Sequence, residues 1–285
     1  MQVRFPADTF PPPHMTFDLS LVLALVALGT ASGFLAGLLG IGGGMVMVPF
    51  ITVIISQQGV SSDLAIKMAL ATSMAAIIFT SVSSVRAHHK RKAVRWELVR
   101  VLSIGVVIGA AVASLGIFNA LKGSALALLF ALFVAFSATQ LFMDKKPKPD
   151  RALPGPLGMV AAGTVIGMVS GLVAAGGAFM SIPFMIWCNV PTLHAVATSA
   201  ALGFPIAVAN VLGYSASGLL LTGLPPYSFG YVWLPALAVI AACSTMTAPW
   251  GASAAHKLPV ARLKRIFAVV LYMLSAYMLY RGLKG

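Results

Sequence analysis

Acidic residues are scarce in this chain. There are six among 285 residues, Asp8, Asp18, Asp63, Glu97, Asp144 and Asp150. All lie in loops or at the ends of apolar stretches, so a cation held inside a bilayer would find no counter-charge, and the intramembrane carboxylates common in proton pumps and sodium-coupled carriers are missing. Cysteine is scarce too. Cys188 and Cys243 are the only two, which excludes a disulfide framework, a zinc site and an iron–sulfur cluster. Charge of any sign makes up 9% of residues, against about 25% in an ordinary soluble domain. No polar stretch is long enough for a soluble domain, and no nucleotide-binding loop occurs. Neither ATP hydrolysis nor a resident cofactor is therefore expected. A membrane enzyme would want a cluster of His, Cys or carboxylates within the bilayer, and none is present.

Hydrophobic residues supply 59% of the chain. A spanning helix needs about 20 largely apolar residues, and such segments lie at 18–40, 64–86, 97–118, 123–143, 154–175, 195–221, 231–252 and 263–281. Two shorter apolar pieces, 45–56 and 178–190, follow the first and fifth of these. The fold expected is an all-α integral membrane protein. The opening MQVRFPADTFPPPH has neither the basic stretch nor the apolar core of a removable signal peptide, so the N-terminus is expected to be retained.

The net charge of +13 is placed in short loops. Arg86, Lys90, Arg91, Lys92, Arg95 and Arg100 surround one, Lys145, Lys146, Lys148 and Arg151 another, and Lys257, Arg262, Lys264 and Arg265 a third. That placement is the positive-inside signature, and these charges meet anionic lipid head groups. No base-stacking or groove-reading element accompanies them, so nucleic acid is not an expected partner.

The chain repeats itself. GTASGFLAGLLGIGGGMVMVPF (29–50) aligns without gaps on GTVIGMVSGLVAAGGAFMSIPF (163–184), with nine of 22 positions identical, and ALATS (69–73) matches AVATS (195–199). This defines two related halves, 18–143 and 154–282. The loop before the third element is strongly basic in the first half (86–96) and uncharged in the second (222–231). After that element the bias reverses, since 118–124 is nearly neutral and 256–265 is basic. Equivalent loops thus lie on opposite faces, an inverted-topology repeat of about four membrane helices per half, the architecture in which secondary transporters bind substrate near the midplane. Inversion requires an odd number of crossings per half. Either each short piece crosses, giving ten segments, or it pairs with its neighbour as a re-entrant hairpin around eight helices, and the sequence fits both.

Gly29, Gly33 and Gly37, like Gly163, Gly167 and Gly171, recur every fourth residue and give a flat stripe for close helix packing. The consecutive Gly42, Gly43 and Gly44, and Gly176 and Gly177, are different. Each lowers helix propensity by about 1 kcal/mol, and freed backbone groups must find partners inside the protein. We read them as the unwound joints of broken helices whose following pieces offer N–H groups and a positive dipole end to an anion. Pro49 and Pro183 are expected to limit the length or angle of those pieces. The glycines do not form a dinucleotide loop, because the GxGxxG spacing is incomplete and no strand precedes it. Thr72, Ser73, Thr198 and Ser199 can donate hydroxyl protons to an anion, and Lys67 and His194 can attract one.

These paired motifs, with HAVATS (194–199), resemble the TauE/SafE family of sulfite exporters and related anion permeases over nearly the whole chain. The resemblance implies a bacterial inner-membrane carrier for sulfite, organosulfonates or other small sulfur-containing or carboxylate anions. It places the family's motif at Gly42, Gly43, Pro49, Thr72 and Ser73, and at Gly176, Gly177, Pro183, His194, Thr198 and Ser199. The first half departs from the pattern, carrying Lys67-Met68 where the histidine is usual. The resulting expectation is a secondary transporter that binds a small anion between two halves. The rival readings are a passive anion channel and a membrane scaffold, and no signal specifies an oligomeric state.

Overall fold

The computed structural model describes residues 18–39, 43–143, 151–219, 221, 224–254 and 260–284. Gly42 of the first glycine run and the opening segment of the chain lie outside these residues. The chain forms α1 (Leu19–Leu39), α2 (Gly44–Gln57), α3 (Ser62–Lys90), α4 (Trp96–Ala120), α5 (Gly123–Met143), α6 (Pro156–Val173), α7 (Ala178–Trp187), α8 (Thr192–Gly218), α9 (Leu234–Ala254) and α10 (Val260–Lys284). A π-helical turn, Val112–Ile117, interrupts α4. Eight of the helices are long and apolar enough to span a membrane, whereas α2 and α7 are too short. The protein is an integral membrane protein.

Two glycine stripes organise the packing. A Cβ on Gly29 would strike Ile240 and Cys243, and one on Gly33 would strike Ser244 and Thr247, so α1 lies flat against α9. In the second half, Gly163 and Gly167 abut Leu102 and Val106 of α4, while Gly105 and Gly109 abut Val160 and Thr164 of α6. In both pairs residue numbers rise together along the contact, so the helices run parallel. Each repeat's first helix is therefore seated on the fourth helix of the other repeat. Packing of this kind replaces the hydrophobic effect, which is weak between helices in lipid.

The centre is made by α3 and α8, which meet where the backbone of Gly203 lies against Ser81, an added Cβ reaching the Ser81 Cβ at 3.5 Å. Outside them, α5 and α10 pair antiparallel, with Ser275 Oγ donating to the Ala131 carbonyl at 2.7 Å and Thr139 sharing a 2.7 Å hydrogen bond with Tyr272.

The α6–α7 pair begins and ends on one face. The Arg151 amide donates to the Trp187 carbonyl at 3.3 Å, and the Arg151 guanidinium stacks on the Trp187 ring at 4.6 Å. That is the re-entrant arrangement of the two left open by the sequence. One feature departs from the all-helical expectation. The uncharged loop before α9 contains a small antiparallel pair, β1 (Ser228–Phe229) with β2 (Val232–Trp233). It lies tightly on the end of α8, where Gly218 faces Gly230 and Tyr231, and Gly230 faces Ser215.

Candidate functional site

Both helix breaks expected from the glycine runs are present. Gly43 adopts φ 71 and caps α2; Ala174, Gly176 and Gly177 adopt φ 47, 60 and 81 ahead of α7. These are left-handed conformations, which favour glycine because an L side chain crowds the following carbonyl. Neither Gly43 nor Gly177 supplies a side-chain cap, so the first amides of α2 and α7 are left to other partners. Neither proline ends its helix. Pro49 and Pro183 are each the sixth residue, and the helices continue to Gln57 and Trp187 with one internal hydrogen bond forgone at each proline.

The two breaks touch. A Cβ on Gly44, the first residue of α2, would run into the carbonyl oxygen of Ala174 in the second break. Beside this contact is a small cavity of about 20 Å³, lined by Ala36, Ile77, Thr80, Ser81, Ser84, Gly176, Ser199, Ala200 and Gly203. Its polar side chains are four hydroxyls, and no charged residue lines it. Ser199 Oγ accepts a 2.7 Å hydrogen bond from Ser181 on α7. Ser73, the first-half counterpart of Ser199, is fully buried, and its Oγ has no hydrogen-bond partner among the described residues.

Ser73 does not line the cavity, and neither do the remaining side-chain candidates. Thr72 Oγ1 accepts the Trp233 amide at 3.0 Å, and Thr198 Oγ1 accepts the Arg95 amide at 3.1 Å. Each ATS threonine thus holds the backbone just ahead of a membrane helix of the other half. Lys67 is half-buried near the start of α3, with Nζ 5.5 Å from the Phe118 ring centroid and 5.9 Å from that of Tyr231. His194 Nδ1 is 2.8 Å from the Ala93 carbonyl oxygen. Neither residue lines the cavity. His88 and His89 belong to the last turn of α3 rather than to the loop, and His89 Nδ1 accepts from Trp96 Nε1 at 3.2 Å.

Thr80, Ser81 and Ser84 are not among the sequence candidates. Their signal is the hydroxyl-rich run TSVSS in α3. Thr80 and Ser81 also bond the carbonyls of Ile77 and Ile78 in their own helix, at 3.2 and 2.9 Å, the ordinary occupation of such residues.

Residues 25–278 match the family model for the sulfite exporter TauE/SafE. A probable membrane transporter protein of Haemophilus influenzae is 34% identical over 90% of this chain and 97% of its own length. Probable membrane transporter proteins of Methanocaldococcus jannaschii and Bacillus subtilis are 24% and 26% identical, over 93% and 91% of this chain and 98% and 97% of their own lengths. No solved structure shows a significant match.

Proposed function

The chain belongs to the sulfite exporter TauE/SafE family and is a membrane transporter; we propose that it carries a small anion, sulfite, an organosulfonate or a related sulfur-containing or carboxylate anion, by alternating access across a bacterial inner membrane. The observation that carries this reading is the meeting of the two broken helices at Gly44 and Ala174. The uncapped start of α2 meets the second break there, and helix N-termini favour negative charge. The glycine joints, with Gly42 assigned by sequence, and the Ser73 and Ser199 hydroxyls form the binding site. Asp18, Asp63 and Glu97 all stand at helix ends, so among the described residues no carboxylate lies at the joints to repel the guest.

The crossed pairing of α1 with α9 and of α6 with α4 supports two halves related by inversion. The basic face, which bears Arg86 to Arg100 and Arg151, is then cytoplasmic by the positive-inside rule. A cavity of about 20 Å³ holds about one water molecule. Passage of an anion therefore requires the joints to move, which favours a carrier over an open channel.

Purified protein should melt several degrees higher in the presence of its substrate among sulfite, taurine, sulfoacetate, sulfate and small carboxylates, since a ligand of the folded state stabilises it by mass action. The same anion should show saturable counterflow in proteoliposomes. Melting curves unmoved by every anion, together with flux that rises linearly with concentration, would reject the proposal.

A further inference from the structure

Four of the candidates that do not line the cavity form two matching contacts, one on each side of the midplane. On α3, Lys67 and Thr72 hold residues 231–233. The Lys67 ammonium lies over the Tyr231 ring, and Thr72 Oγ1 takes the Trp233 amide. On α8, His194 and Thr198 hold residues 93–95. The His194 ring bonds the Ala93 carbonyl, and Thr198 Oγ1 takes the Arg95 amide. In the repeat alignment Thr72 corresponds to Thr198, and His194 stands one residue from the counterpart of Lys67.

Both contacts cross between the halves. Residues 231–233 belong to the second half and are seated on α8 through Gly218 and Gly230, yet they are held by α3 of the first half. Residues 93–95 belong to the first half and are held by α8 of the second. Around the Ser81–Gly203 crossing, Thr72 and Thr198 stand in opposite directions, roughly 13 Å and 8 Å from it at about 1.5 Å rise per residue. The hydroxyl cavity lies between them.

We infer that these are the two gates of the transporter. Lys67 and Thr72 close the outer face, His194 and Thr198 close the basic face, and none of the four is a ligand of the anion. The inference rests on the alternating-access reading. Each clamp spans the seam between halves, so rocking one half against the other opens one clamp while the opposite one stays made. Both are made in this structure, in keeping with its small cavity. The threonine oxygens accept amides at helix starts, and neither threonine lines the hydroxyl cavity.

The test uses the full chain with Cys188→Ala and Cys243→Ala, and Ser84→Cys as reporter in the cavity. The rate of labelling by a membrane-impermeant maleimide is measured in vesicles of each orientation. Thr72→Val should raise labelling from the outer face about fivefold, the population shift expected from loss of one ordinary hydrogen bond, and leave the basic face unchanged or slower. Thr198→Val should do the reverse. Thr72→Ser and Thr198→Ser keep the acceptor oxygen and should label like the parent. Should a valine variant fail to reach the membrane, Lys67→Met and His194→Ala carry the same face-specific expectation. Labelling altered equally on both faces, or on neither, overturns the gates even where anion flux is intact. Face-specific labelling in a protein that moves none of the anions overturns the substrate reading and leaves the gates standing.

Discussion

Gly43 and Gly59 offer a matched pair for testing the first helix break. Both have strongly positive φ, 71 and 83, but an alanine Cβ at position 43 would sit 2.8 Å from the Ser32 carbonyl oxygen, whereas one at 59 meets nothing within 4 Å. Gly59→Ala therefore reports the left-handed backbone alone, about 1–2 kcal/mol. Gly43→Ala adds overpacking against a backbone atom that cannot swing aside, about 1–3 kcal/mol more. With Tm moving by roughly 2–4 °C per kcal/mol for chains near this size, Gly59→Ala should lower the melting point by about 2–8 °C and Gly43→Ala by about 4–20 °C. The functional readings should separate further, because only Gly43 sets the start of α2 at the meeting of the breaks. Thermal melts in detergent, followed by tryptophan fluorescence, and anion flux in proteoliposomes measure both. Equal melting losses for the two variants, or wild-type flux in Gly43→Ala, would show that the joint is neither crowded nor used.

Ser199→Ala should raise the KM for the transported anion by about tenfold, the loss expected for a hydrogen bond to a charged group; flux against concentration in proteoliposomes measures this, and an unchanged KM removes Ser199 from the site. Gly105→Leu and Gly33→Leu drive side chains into the Val160 carbonyl and the Ser244 backbone, and both should abolish the monodisperse peak in size-exclusion chromatography of a fluorescent fusion. Cys188→Ala with Cys243→Ala should leave flux within about twofold of the parent, since both thiols are free and neither lines the cavity; a larger loss would give one of them a role in transport.

Much of the membrane architecture was legible in the residues. The eight long apolar runs became the eight long helices, because length and hydropathy suffice where the bilayer sets the scale. The glycines with four-residue spacing became packing seams, and the consecutive ones became breaks, since only the latter forfeit helix over several successive positions. Polar side chains were harder to assign. A threonine reads as a donor, an acceptor or a self-satisfied helix residue with equal ease. What made Thr72 and Thr198 acceptors is the arrival of the Trp233 and Arg95 amides from 161 and 103 residues away. Lys67 likewise read as an attractor of anions, and its aromatic neighbours Phe118 and Tyr231 come from segments that only the tertiary fold brings near. The strand pair at 228–233 escaped notice because two residues per strand leave no alternation to read.

The crossed seating of α1 on α9 bears on biosynthesis. Gly29 finds its groove beside Ile240 and Cys243, residues that leave the ribosome about 210 positions later, which at 5–20 residues per second is roughly 10–40 s. Throughout that interval the first helix must wait in the translocon's surroundings with its glycine flank against lipid or an insertion chaperone. Expressed separately, each half would lack the surface that completes its leading helix, and only co-expression of the two fragments would supply it.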